Sequence, residues 1–109
     1  MAFDETLAER VRGVLADRID VHEKRMFGGL TFLIGGNMCC GVHGSELMLR
    51  LGPERAEQAL EAAHVGPMDF TGRPMRGFVT VQPEGLAGDE LRRWVELAVE
   101  FAGGLPPKG

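Results

Sequence analysis

The chain has no apolar stretch that could cross a bilayer: segments such as Leu30 to Ile34 fall far short of the roughly 20 residues a membrane helix needs. It also has no excess of positive charge. Twelve Lys and Arg against sixteen Asp and Glu leave a formal charge of -4, so the molecule repels phosphate backbones and direct nucleic-acid binding is not expected. Serine is nearly absent. Ser45 is the only one; it sits in a turn, without the sharp strand-to-helix elbow that exposes a nucleophile, so no Ser-His-Asp arrangement can be assigned. Cysteine is limited to the adjacent pair Cys39 and Cys40. Neighbours in a strand point to opposite faces, which makes them poor partners for a mutual disulfide, and they read as buried and unreactive thiols of a reducing compartment. The first residues, Met1 to Glu5, have neither a cationic patch nor a following apolar stretch and do not read as a secretory signal, which predicts a cytoplasmic protein.

What the chain does have is glycine. Sixteen in 109 residues is roughly twice the usual share of about 7%, and they are scattered, as turns between short elements require. Apolar residues at 44% and charged residues at 26% are ordinary globular values. The length suits one domain, 1–109, with a tail over 103–109.

Helical periodicity runs from Asp4 to about Arg18, with Leu7, Val11, Val14 and Leu15 on one face and Asp4 as the N-cap. From Lys24 to Leu51 the pattern becomes short apolar runs separated by Gly28-Gly29, Gly35-Gly36-Asn37 and His43-Gly44-Ser45-Glu46. This is the mark of a hairpin meander, with strands at 30–34, 38–42 and 47–51. Gly28-Gly29 is either a two-residue turn or a bend in one long strand. Gly52-Pro53-Glu54 opens a second helix that Gly66-Pro67 ends, short strands follow at 68–70 and 76–82, and a last helix spans 88–102 with Leu91, Trp94, Val95, Ala98 and Phe101 or Ala102 on its apolar face. Strands in a run, rather than in strict alternation with helices, predict an α+β fold: one antiparallel sheet with three helices on one face. The opposite face would then be open and available for binding.

The block Arg25-Met26-Phe27-Gly28-Gly29, followed by Phe32, by Gly36-Asn37-Met38, by Leu47, Leu49 and Arg50, and by the late Trp94, resembles the N-terminal domain of the TfoX (Sxy) family of bacterial proteins associated with regulation of natural competence. The resemblance runs from the first helix through Trp94 and departs at Cys39-Cys40, where an aliphatic or aromatic pair is expected. It implies a standalone single-domain member without the C-terminal helical domain of the full-length regulators, with no catalytic residues to carry over and a possible role in contacting another protein.

Several groups could carry chemistry. His22, Cys39, Cys40, His43 and His64 have the wrong spacing for structural zinc, so no metal and no cofactor is expected. Gly28-Gly29 and Gly35-Gly36 lie between strands and read as hairpin glycines, not a phosphate cradle. Met26, Met38, Met48, Met68 and Met75 lie in or beside strands and read as core filling before they read as a partner groove. Lys24, Arg25, Arg50, Arg73 and Arg76 lie at strand ends or in the adjoining loop and could gather at one sheet edge, where they would suit a carboxylate or phosphate. The expected binding set is therefore Arg25, Met26, Phe27, Gly28, Gly29, Arg50, Arg73 and Arg76.

The resulting expectation is a non-enzymatic regulatory module that meets a protein partner, or a second copy of itself, through the exposed sheet face or edge. The alternative is a small-ligand or anion-binding protein, an enzyme included, using an arginine-lined sheet edge.

Overall fold

The computed structural model describes residues 3–26, 28–68 and 75–107. Helix α1 (Glu5–Leu15) is capped by Asp4, whose carboxylate accepts from the backbone N–H groups of Thr6 and Leu7. Strands β1 (Val21–Met26), β2 (Gly29–Ile34), β3 (Asn37–His43) and β4 (Glu46–Arg50) form the meander. Helix α2 (Pro53–Ala59) follows, then β5 (Val65–Pro67), β6 (Phe78–Val81), a 3-10 turn at Pro83–Gly85, and α3 (Glu90–Gly103). All six strands make one antiparallel sheet in the order β1-β2-β3-β4-β6-β5. The α+β expectation holds, and among the described residues no helix is long and apolar enough to cross a membrane.

Two rows of side chains across the sheet form the floor of the core. One runs Phe32, Cys40, Leu49, Val79; the other runs Leu30, Val42, Leu47, Val81. All are buried, and they form one cluster with Leu7, Ala8 and Val11 of α1, Ala56 and Ala59 of α2, and Leu91, Val95, Ala98 and Ala102 of α3. The three helices therefore cover the same face.

The first glycine pair marks a turn and not a bend in one long strand, with Gly28 in the turn and Gly29 opening β2. Met26 pairs with Gly29, leaving two residues in the loop, and Gly28 takes φ +74°, a left-handed value that glycine adopts without steric cost. Gly29 serves a different need, since a Cβ there would lie 2.2 Å from the carbonyl oxygen of Val42. The segment leading into this turn is a full six-residue strand.

Other boundaries move. α1 ends at Leu15 and α2 at Ala59, both short of their expected ends. Gly66-Pro67 belongs to β5, which the spacing placed at 68–70; Asp69 and Phe70 lie outside the described residues. The tail is tied down rather than loose: Asn37 Nδ2 donates to the Pro106 carbonyl at 3.0 Å, and Pro107 lies beside Gly35.

The cysteine geometry is also corrected. Phe32 pairs with Cys40 but Leu33 pairs with Met38, so Cys39 is an extra residue in a β-bulge. The bulge breaks the alternation, and both cysteines join the helix-side core, fully buried. The side-chain hydrogen bond it shares with Cys39, and then burial, hold the Cys40 thiol well above its ordinary pKa.

Candidate groove between the second and third helices

The residues singled out in the sequence do not make one site. In a meander β1 and β4 run in opposite directions, so Arg25 and Arg50, each near the C-terminal end of its strand, stand at opposite ends of the sheet. Arg25 is exposed and its guanidinium lies 5.6 Å from the centre of the Phe3 ring. Arg50 lies 5.7 Å from the Phe78 ring centre and 5.4 Å from that of Phe101. Arg76 is exposed at the end where Arg50 lies. Phe27 and Arg73 lie outside the described residues, as do Thr71, Gly72 and Pro74. Met26 and Gly28-Gly29 serve the hairpin. Among the described residues the expected arginines are thus split, with Arg50 and Arg76 brought to one end.

The helix-free face is not an open platform either. Its central row is Thr31, Gly41, Met48 and Thr80, and Thr31, Met48 and Thr80 are only 1%, 2% and 5% exposed. Met48 closes over Gly41, and Met68, just past β5, is fully buried. Neither methionine belongs to the helix-side cluster. Core filling therefore describes these two, and the sheet face offers little apolar surface.

A different surface is concave. Three adjoining hollows of about 300, 480 and 320 Å³ share Leu51 and Arg55 and run between α2 and α3. At one end the lining is Gln58, Ala59, Ala62, Trp94 and Leu97; at the other it is Gly52, Pro53, Arg76, Phe101 and Leu105. Trp94, Leu97 and Phe101 follow i, i+3, i+7 spacing, so they form one stripe on α3 beside the fully buried stripe of Leu91, Val95, Ala98 and Ala102. All three are half-buried and line the groove; Trp94 and Leu97 pack on the core, and the Phe101 ring lies over Gly52. The spacing placed Trp94 and Phe101 on the same apolar face as Leu91, Val95 and Ala98 and left Leu97 out. The separate stripe was visible in the spacing, but its exposure depended on how short α2 would be.

Charges line the mouth. Arg55 reaches from α2 to Glu100 of α3 at 3.4 Å, with both side chains well exposed. Arg12, Arg18, Arg92 and Arg93 are each engaged by a carboxylate. Arg50 and Arg76 have no carboxylate partner among the described residues. Gly52, at the base of the groove, takes φ +88° and ψ 158°, a region essentially restricted to glycine. A Cβ there would lie 2.7 Å from the Phe101 ring, so this glycine lets α3 approach the start of α2.

Groups that could act on a bond do not converge. His22 is in β1, His43 ends β3 and His64 precedes β5; among the described residues no three His, Cys, Asp or Glu side chains gather as a ligand set. The resolved pKa shifts belong to ion pairs and to a core thiol. The Arg12 guanidinium lowers Glu23 through hydrogen bonds, Arg18 lowers Asp20 in the same way, Arg12 is itself raised by Glu23, and Cys40 is raised as described. None of these groups lines the groove.

A search of curated proteins finds no match to the chain, and a search of solved structures finds none. The model of one family does match, over residues 14–102, from the last two residues of α1 to the penultimate residue of α3. With most of the chain covered, the protein belongs to the TfoX N-terminal domain family.

Proposed function

We propose that this domain is a regulatory module that works by binding another protein in the groove between α2 and α3, and that it is not an enzyme. Family membership supports a regulatory, competence-related role at the level of the family. The observation that carries the reading is the groove itself: a half-buried Trp94, Leu97 and Phe101 stripe beside Leu51 and Ala59, rimmed by arginines. Aromatic side chains and arginine are the types that most often anchor protein interfaces. A cytoplasmic setting goes with this proposal.

The sheet edges favour the groove by default. β5 is three residues long and ends in Pro67, which has no N–H to donate. β1 carries His22, Glu23, Lys24 and Arg25, all exposed. Antiparallel pairing of β1 with a second copy, about a two-fold axis normal to the sheet, sets one residue opposite itself. Centred on Glu23 or Arg25, that places like charges face to face, which is destabilising, and exposed charges on an edge strand work against such pairing in general. A homodimer through this edge is therefore disfavoured, and a different protein in the groove is the preferred partner.

A photo-activated cross-linking side chain placed at Gln58 in the groove, and separately at His22 on β1, tests this in the native cell. Discrete protein adducts from position 58 and none from position 22 are expected. Adducts from position 22 alone, or none from either, would overturn the reading.

A further inference from the structure

We infer that the groove is built for an acidic amphipathic helix, with apolar side chains seated along Trp94, Leu97 and Phe101 and carboxylates meeting Arg76 and Arg50 at one end; this rests on the protein-binding reading above and specifies the partner's chemistry.

Shape comes first. Trp94 to Phe101 is seven residue steps along α3, about 10 Å at 1.5 Å per residue, the length over which a guest helix presents anchors at i, i+3 or i+4, and i+7. The hollows continue past this stripe to Leu105 on one side and Ala62 on the other. That adds room for a third turn.

Charge then selects the guest. The chain is acidic overall, so any attraction for carboxylates has to be local. At the Gly52 end, Arg55 and Arg76 stand against Glu54 and Glu100, and Arg50 lies against the Phe101 ring that lines the same hollow. Glu100 is already engaged by Arg55. Arg50 is fixed between two aromatic rings that leave its charge uncompensated, because a ring face attracts a cation without neutralising it. Arg76 is exposed on the same rim. Guanidinium groups of this kind suit carboxylates, which accept two parallel N–H bonds. A basic helix would find two uncompensated cations there instead.

The molecule carries its own reporter, since Trp94 is the only tryptophan and the chain has no tyrosine. The native domain is titrated with three synthetic helical peptides of about four turns: leucines at i, i+3, i+7 with glutamates flanking them, the same leucines with lysines, and the glutamates with serines in place of leucine. The leucine–glutamate peptide is expected to shift Trp94 emission saturably and to bind at least tenfold tighter than either companion. Arg76→Glu is expected to weaken it at least tenfold and to improve the lysine peptide, with the melting temperature unchanged.

Equal binding of the lysine peptide would overturn this inference while leaving the groove as a protein site. So would inorganic phosphate or succinate giving the same shift as the peptide, which would mark a small-anion site. Failure of all three peptides, with adducts still obtained at position 58, would overturn the helix as occupant. Failure of the peptides and of the cross-linking together would remove the protein-binding reading as well.

Discussion

Helices α2 and α3 wall the same groove but are held in it differently. α3 has fourteen residues and sends Leu91, Val95, Ala98 and Ala102 into the core. α2 has seven and buries only Ala56 and Ala59. Full burial of one Leu or Val side chain contributes about 1.5–3 kcal/mol, and a methyl group far less, so tertiary packing fixes α3 while leaving α2 lightly held. A helix this short gains little from its own hydrogen bonds. What places α2 is its start: Pro53 at the first helical position, Gly52 beneath Phe101, and the exposed Arg55–Glu100 pair across the groove. One wall is thus rigid and the other adjustable, which suits a surface that admits a guest.

The sharpest way to break this comparison is in the core. Leu91→Ala should lower stability by about 2–5 kcal/mol, the range for truncating a buried Leu. Ala56→Gly in α2 should lose about 1 kcal/mol or less. Urea unfolding of both variants decides it, and equal losses would mean α2 is as firmly held as α3. The start of α2 comes next. Gly52→Ala forces alanine into a glycine-only conformation, a strain of about 1–3 kcal/mol, before the displacement of Phe101 is counted. Arg50→Met should lose about 1 kcal/mol through its two ring contacts, against less than about 0.5 kcal/mol for the exposed Arg76→Ala; similar losses for both would remove the structural distinction between these arginines. Hydrogen exchange sharpens the comparison directly, with the amides of α2 expected to exchange before those of α3.

The smallest expected effect lies away from the groove. Arg12 hydrogen bonds hold the Glu23 carboxyl below its ordinary range. A depressed carboxylate pKa stabilises the fold at pH values above the unfolded-state pKa, and this is lost as pH falls through the folded-state value. Both side chains are about one-third exposed, so solvent screening limits the contribution to about 0.5 kcal/mol. Glu23→Gln should therefore be slightly less stable than the parent at pH 7, and the gap should close towards pH 3; a gap that widened on acidification would contradict the pairing.

Much of the fold was legible because its signals are local. Gly35-Gly36 and Gly44 take positive φ at the turns where the spacing put them, and the periodicity of Leu7, Val11 and Leu15 gave α1 its buried face. β1 was harder to read because Val-His-Glu-Lys-Arg-Met has no alternating apolar face; only its pairing with β2 makes it a strand. The bulge at Cys39 depends on a register shift between β2 and β3 that no residue type announces. The separation of Arg25 from Arg50 was available in principle, since three chain reversals lie between them. The groove was not, because it depends on how far α2 extends and how closely α3 approaches it, and both follow from packing at Gly52, Phe101 and Ala59.

The bulge has a practical corollary. By turning two adjacent sulfurs into the same dry interior, it leaves neither one accessible to an electrophile while the domain is closed. Alkylation of both sulfurs should therefore report opening of the core, at a rate that rises with each substitution that loosens the helical layer.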